Sequence, residues 1–201
     1  MNINQLFPIP LGFFDLDPAF TPEEINFIIN QPLRNNTGNN SSLDNYLFKH
    51  TELSRLHTFC LESTNKYVQE IYQPRTDVDM RITQSWANYT QAGQYHHKHA
   101  HPNSFVSGVI YVKTNPEKDK IYFHRKDGYR NIKLNTDNWN IFNSDSWWFE
   151  SIPNQLIIFP SWLEHHVEAT EQDTETRISI SFNTFPKGIL GDNFELTELI
   201  L

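Results

Sequence analysis

The chain contains one cysteine, seven glycines, no cluster of basic residues and no long apolar stretch. The lone Cys60 excludes an intramolecular disulfide and favours a reducing, cytoplasmic location. The first residues lack the basic start and apolar core of a signal peptide, so we expect no export. No stretch approaches the ~18 uninterrupted apolar residues of a membrane-spanning helix.

Basic residues are also few, since 16 lysines and arginines face 24 aspartates and glutamates, for a formal net charge of -8. A surface of this sign repels phosphate backbones and anionic lipid headgroups. We therefore expect neither a nucleic-acid nor a membrane partner, and a small-molecule or peptide ligand instead. A homo-oligomer is compatible with these features.

Two helices are predicted before residue 79. Thr21, Pro22 and Glu24 form a helix-start signature. Apolar residues at helical spacing then run from Leu53 to Ile71, where Pro74 ends the pattern. Between the two helices, residues 34–42 are rich in asparagine and are the one stretch whose composition favours disorder.

From Asp79 onward the apolar pattern has a period of two, which is typical of strands. The predicted strands are residues 80–90, 105–113, 120–125, 155–160, 165–169 and 176–185. Short strands at close intervals after two helices indicate an α+β, mainly β fold, a barrel or sandwich with N-terminal supporting helices. We predict a single domain over residues 1–201, with helical support in 1–78, the β core in 79–185 and a C-terminal tail in 186–201.

Six of the nine histidines lie in two clusters, which indicates a metal site. Alternate residues share a face of a strand, so His99 and His101 are predicted to project together and to chelate one cation. His165 or His166, at the start of a distant strand, would supply the remaining ligand if the sheet closes. His96 and His97 are interpreted as residues around the site or at the surface. A single histidine is often inert, but the combined pattern favours a metal site.

The segment RISISFN, residues 177–183, alternates polar and apolar side chains. Arg177 and Ser179 are predicted to share a face with Ser181 and Asn183, opposite the isoleucines and Phe182. A polar face on a buried strand indicates a cavity. Arginine can bind a carboxylate through two hydrogen bonds, and a serine two residues on can add a third. The simpler interpretation is that Arg177 pairs with an acidic side chain of this chain.

Four segments in this order resemble the iron(II)- and 2-oxoglutarate-dependent oxygenases of the bacterial and phage type. They are the HxH motif of His99 and His101, SGVIYV at 107–112, FPSWLEH at 159–165 and RISISFN at 177–183. The resemblance spans residues 84–185. It implies a double-stranded β-helix, or cupin-like jelly roll, in the cytoplasm of a bacterial or phage-infected cell.

The resemblance also implies the activity and the residues that carry it. A dioxygenase of this type binds Fe(II), 2-oxoglutarate and O2, hydroxylates its substrate and releases succinate and CO2. His99 and His165 are then iron ligands, and Arg177 with Ser179 binds the far carboxylate of 2-oxoglutarate. Asn88 and Tyr111 are weaker candidates for contacts with the same cosubstrate.

The third ligand position departs from the family motif, in which an acidic residue follows the first histidine by two. Here that position is His101, so either His101 is the third ligand or an acid from elsewhere completes the set. Glu164 adjoins His165 and is predicted to point to the opposite face. A third neutral imidazole would leave the centre more positive, which favours a dianionic cosubstrate.

Two other functions use the same residues. The GQYHHKHAH segment fits the opening of a cupin motif, although the glutamate expected after it is missing, and three-histidine cupins include dioxygenases and isomerases that need no 2-oxoglutarate. A non-catalytic jelly-roll binding module is the other alternative, with Trp147 and Trp148 as contacts. As an enzyme feature, this tryptophan pair in a turn-rich segment predicts a lid.

Overall fold

The computed structural model describes residues 1–75, 77–126, 134–169 and 175–201. Within these ranges the chain forms two α-helices and thirteen strands. The helices are α1 (Pro22–Ile29) and α2 (Ser54–Tyr72). The strands are β1 (Gly12–Asp15), β2 (Leu33–Asn35), β3 (Asn40–Ser42), β4 (Asp79–Thr90), β5 (His96–His99), β6 (Val106–Lys113), β7 (Lys120–His124), β8 (Ser146–Glu150), β9 (Gln155–Pro160), β10 (His165–Val167), β11 (Arg177–Lys187), β12 (Ile189–Leu190) and β13 (Leu199–Ile200).

Two antiparallel sheets form the body of the protein. The larger has the strand order β1-β9-β6-β11-β4-β3-β2, and the smaller has the order β5-β10-β7-β8. The order differs from the sequence order in both sheets, as expected when strands alternate between the two layers of a jelly roll. The predicted mainly β double-stranded β-helix with N-terminal helices is confirmed.

Two hydrophobic cores lie on opposite sides of the large sheet. Ile178, Ile180 and Phe182 of β11 pack in the core that contains Leu56 and Cys60 of α2. A smaller core lies between the sheets and includes Val109, Tyr111, Ile121, Phe123, Ile157, Phe159 and Leu163. Because β11 alternates in the predicted way, its polar residues face this second space, which we call the lumen.

The N-terminal region contributes strands as well as helices. Its first helix begins with the predicted capping box, in which Thr21 and Glu24 bond to each other's backbone N–H groups. The prediction of disorder for residues 34–42 was wrong, because β2 and β3 form a hairpin that extends the large sheet along β4. Gly38, with a φ of +90°, allows the turn. Strand β1 adds the opposite edge.

The predicted strands all occur, with bounds that differ by a few residues. Strand β5 includes only the first residue of the predicted HxH strand. Six further strands were not predicted, namely β1, β2, β3, β8, β12 and β13, and β8 lies in a segment rich in asparagine, aspartate and serine. Neither of the helices in the described ranges is long and apolar enough to cross a bilayer.

We expect Gly108→Ala to destabilise the fold. A Cβ at this position would lie within 2.6 Å of Phe182 Cε1, in the core under α2. Such overpacking costs about 1–3 kcal/mol. Urea unfolding monitored by circular dichroism measures the loss. Gln69→Ala, on the exposed side of α2, is the control and should leave the midpoint nearly unchanged. Equal midpoints for both variants would contradict the packing argument.

Candidate metal centre

The pairing of β5 with β10 brings the two histidine clusters together. His165 is paired with His99 across the two strands, and its other cross-strand neighbour is Phe123 of β7. Directly paired residues project from the same face of a sheet, so both imidazoles enter the lumen. His166 therefore projects outward, where its Nδ1 lies 2.9 Å from His124 Nε2.

His101 reaches the same point by another route. The prediction that it shares a strand with His99 was wrong, because β5 ends at His99 and His101 lies in the following turn. Its backbone N–H donates to Ser161 O at 2.9 Å, which anchors the turn to the end of β9. As a result His101 Nε2 lies 3.3 Å from His165 Nε2.

A buried hydroxyl network fixes this turn. Ser161 Oγ donates to Ser104 Oγ at 2.7 Å, and Ser107 Oγ lies 2.7 Å from Ser161 Oγ. Ser107 in turn donates to Asn183 Oδ1 at 2.9 Å. The four side chains belong to the turn, β6, the end of β9 and β11. They therefore hold the segment after His101 against the large sheet.

We call His99, His101 and His165 the inner triad. One ring nitrogen from each lies within 4.8 Å of the other two. His99 Nδ1 lies 2.7 Å from His97 O, and His165 Nδ1 lies 3.0 Å from Leu163 O. A carbonyl only accepts, so Nδ1 of each ring carries the proton and the lone pair is on Nε2. Both Nε2 lone pairs are thus free to bind a cation.

Burial keeps these imidazoles neutral. It lowers the pKa of His101 to about 3, with the neighbouring His99 as a second cause. Burial is also the main cause that lowers the pKa values of His99 and His165, and His165 is only 7% exposed. Neutral imidazole is the form that binds metal ions.

Arg177 lies deeper in the lumen, above the Tyr111 ring, with its Cζ 5.3 Å from the ring centroid. It is 3% exposed, its Nη2 donates to Ser151 Oγ at 3.3 Å, and its Nε has no partner. No carboxylate of the described residues lies within ion-pair distance of it. The interpretation of Arg177 as half of an internal ion pair is therefore not supported.

A row of polar side chains lies next to Arg177 on the lumen face. Ser179 is paired with Asn88 of β4 on one side and with Tyr111 of β6 on the other, and all three are buried. Asn88 Nδ2 donates to Ser181 Oγ at 3.0 Å, but Asn88 Oδ1 and the Tyr111 hydroxyl have no partner. Burial raises the pKa of Tyr111, so the hydroxyl keeps its proton.

Sequence reasoning placed His96 around the site or at the surface, and the structure places it against the inner triad. Its ring stacks on His99 with centroids 4.6 Å apart and an interplanar angle of 25°. A β-bulge is the reason, since His96 and His99 are three residues apart but pair with Val167 and His165, which are two apart. Burial is the main cause that lowers the pKa of His96 to about 3, and Arg177 contributes.

The remaining candidates lie away from the triad. Glu164 points outward as predicted and pairs with Lys98 at 3.4 Å. Trp147 and Trp148, which were predicted to form a lid in a turn-rich segment, both lie on β8. Trp147 lines a cavity of about 760 Å³ beside the N-terminal segment. Lys120 Nζ lies over the Trp148 ring, 3.9 Å from its centroid. Neighbouring residues of a strand face opposite ways, so the two cannot jointly cover the histidines.

Comparisons with known structures establish the fold independently. The chain is similar to an oxidoreductase of the 2OG-Fe(II) oxygenase family from Burkholderia pseudomallei, with a TM-score of 0.59, 11% identity and coverage of 87% of this chain and 83% of that one. It is also similar to HygX from Streptomyces hygroscopicus with nickel, 2-oxoglutarate and hygromycin B bound, with a TM-score of 0.57, 11% identity and coverage of 86% and 82%. A Pseudomonas putida prolyl-4-hydroxylase gives a TM-score of 0.54, 12% identity and coverage of 87% and 92%.

Sequence comparison gives the family. No curated protein matches the chain in sequence. A family model described as "Putative 2OG-Fe(II) oxygenase" matches residues 84–183, which run from β4 to β11 and include the inner triad, Arg177 and Ser179. The chain belongs to this family of oxygenases, which depend on iron(II), 2-oxoglutarate and dioxygen.

Proposed function

We propose that this oxygenase hydroxylates a small molecule or a peptide, with the inner triad as iron ligands and Arg177 as the anchor of 2-oxoglutarate. One observation supports the proposal most directly. Three neutral imidazoles converge in the same lumen as a buried guanidinium that has no anionic partner among the described residues. A cation site and an anion site in one lumen match a metal ion and a dicarboxylate that binds to this ion.

The donor set fits a divalent iron ion. Two ligand nitrogens on one cation, each about 2.1 Å from it, are separated by roughly 3.0–3.4 Å at angles of 90–110°. The His101 and His165 Nε2 atoms are 3.3 Å apart. With the His101 proton on Nδ1, as on His165, both Nε2 lone pairs can bind one shared cation. Three imidazoles also leave open positions for a cosubstrate.

The deeper residues fit the far carboxylate of 2-oxoglutarate. A buried cation without a counterion costs several kcal/mol, so an anion beside Arg177 relieves a real penalty. The free Nε–H of Arg177, the Tyr111 hydroxyl and Ser179 are donors in one patch of the lumen. Asn88 donates one N–H to Ser181 Oγ, so we infer that it positions Ser181, and its second N–H remains a further donor for the carboxylate.

Bound Fe(II) and 2-oxoglutarate supply the oxidative chemistry that converts O2, the cosubstrate and a substrate C–H into succinate, CO2 and an alcohol. The protein's own residues bind, orient and exclude water. The Ser161 and Ser104 network holds His101, and the Nδ1 bonds to carbonyl groups hold His99 and His165. Two apolar rings exclude water from the centre. The ring centroids of Phe159 and Phe123 lie 4.7 Å and 6.0 Å from that of His165.

His101 occupies the position of the family's acidic ligand, and no carboxylate of the described residues joins the inner triad. The centre therefore carries one negative charge fewer than a two-histidine, one-carboxylate set. We infer tighter binding of the dianionic cosubstrate and a harder oxidation of the iron than in such a set.

Trp86 is half-buried on β4, with its ring centroid 5.8 Å from that of His101, so we infer that it contacts a substrate bound at the inner triad. The structural relatives do not narrow the choice, since one binds hygromycin B and another is a prolyl-4-hydroxylase. The net charge of -8 favours a neutral or cationic substrate over a polyanion.

Anaerobic addition of Fe(II) and then 2-oxoglutarate should produce a metal-to-ligand charge-transfer band. His165→Ala should abolish the band and succinate production, because one of three ligands is lost. His166→Ala is the matched control, since this neighbour projects outward and should retain both. Metal binding by the unaltered protein without the band would favour the cupin alternative, and an unchanged band in His165→Ala would refute the ligand assignment.

Arg177→Lys should weaken 2-oxoglutarate binding roughly 10- to 100-fold, since the charge stays but the two-pronged hydrogen bonding is lost. The charge-transfer band, titrated with 2-oxoglutarate, gives the dissociation constant. Iron affinity without cosubstrate should not change. Arg34→Ala, which removes an exposed guanidinium bonded to Ser41 and Asn45, controls for loss of an arginine elsewhere. An unaltered constant in Arg177→Lys would exclude the anchor.

His101→Asp should keep the charge-transfer band and raise the dissociation constant for 2-oxoglutarate, because the added negative charge opposes a dianion. His101→Ala should weaken iron binding, because one ligand of the inner triad is lost. Measuring the dissociation constants of both variants for Fe(II) and for 2-oxoglutarate separates the effect of charge from the effect of coordination. If His101→Ala binds iron as well as the unaltered protein, His101 is not a ligand.

A further inference from the structure

A second group of histidines adjoins the inner triad. One ring nitrogen from each of His96, His97 and His99 lies within 4.8 Å of the other two. Ring centroids are 5.3 Å apart for His96 and His97, 4.6 Å for His96 and His99, and 4.8 Å for His97 and His99. We call this set the outer triad. It shares His99 with the inner triad.

The outer triad lies nearer to solvent than the inner one. All three of its members are half-buried and come from β5, which is an edge strand of the small sheet. His97 reaches an exposed contact with Thr37 O at 3.4 Å. By contrast, His165 of the inner triad is buried beneath β5 and between aromatic rings. A cation that enters over this edge meets His97 before it meets His165.

His99 can serve only one of the two triads at a time. Its Nδ1 donates to His97 O at 2.7 Å, so Nε2 holds the one free lone pair of the ring. One lone pair binds one cation. The two triads are therefore alternative positions of a single ion rather than a two-metal centre, and His99 is the ligand common to both.

We propose that the outer triad captures a divalent first-row transition cation and passes it to the inner triad through His99. During the transfer His99 stays bound while His96 and His97 are replaced by His101 and His165. The cation then never needs to lose all its ligands at once inside a lumen that offers little water. Imidazole suits such cations, including Fe(II), Co(II) and Zn(II). The inference rests on the proposed iron site, whose position defines where the transfer ends.

Cobalt(II) binding tests the capture site without the oxygenase reaction. His165→Ala disables the inner triad, and this variant should still bind one Co(II) through the outer triad. Adding His97→Ala should weaken that binding by at least about tenfold. Adding His124→Ala instead, on the outward face of β7, should have no effect. Calorimetry gives the stoichiometry and affinity, and circular dichroism checks that each variant is folded.

The transfer itself is tested by kinetics in the otherwise unaltered protein. His97→Ala should slow Co(II) uptake in stopped-flow absorption by at least about tenfold but leave the final ligand-field spectrum unchanged. Loss of Co(II) binding by folded His165→Ala, or uptake by His97→Ala at the original rate, would overturn the proposal. Failure of the proposed function is distinguishable from failure of this inference. The charge-transfer band with 2-oxoglutarate would then be missing, while both cobalt results would stay as expected.

Discussion

The register between β5 and β10 is the constraint on which the rest of the site depends. His165 can share a cation with His99 only because the two residues are paired and both side chains point into the lumen. A shift of one residue would turn His165 outward and place His166 inside, since successive side chains of a strand point to opposite faces. Strand β7, paired along the other edge of β10, and the apolar contacts of Phe123 and Val167 fix that register.

Burial gives the two halves of the site opposite electrostatic characters. The imidazoles are neutral because desolvation disfavours their protonated forms, which leaves lone pairs for a cation. The guanidinium of Arg177 stays charged under the same burial, because arginine does not lose its proton in proteins. The lumen therefore offers lone pairs to a cation and a positive charge to an anion, and in the proposed function 2-oxoglutarate would bind both, the metal with one end and the guanidinium with the other.

The β-bulge in β5 brings a further histidine, His96, against the inner triad. Without the additional residue, strict alternation would place His97 on the face of His99 and turn His96 away. With it, the His96 ring stacks on His99 and the outer triad forms at the edge of the sheet. The same local irregularity thus places His96 beside the inner triad and forms the proposed path by which a metal ion would reach it.

Much of this could be read from the residues alone. The alternation in RISISFN places Arg177 and Ser179 opposite Ile178 and Ile180, because a strand period of two depends only on the backbone. The capping box of α1 and the helical spacing in α2 are local in the same way. The paired histidine clusters indicated a metal, and the four family segments indicated which chemistry it serves.

Only the tertiary structure decided which histidines converge. His101 was expected on a strand and instead reaches the centre from a turn held by Ser104 and Ser161, whose hydroxyls come from distant segments. His96 joins the site through a bulge that depends on the pairing with β10. Trp147 and Trp148 face opposite ways because both lie on β8, a strand that composition did not reveal. The physical reason is that strand register, bulges and cross-strand hydrogen bonds belong to pairs of segments, whereas periodicity and capping belong to a single one.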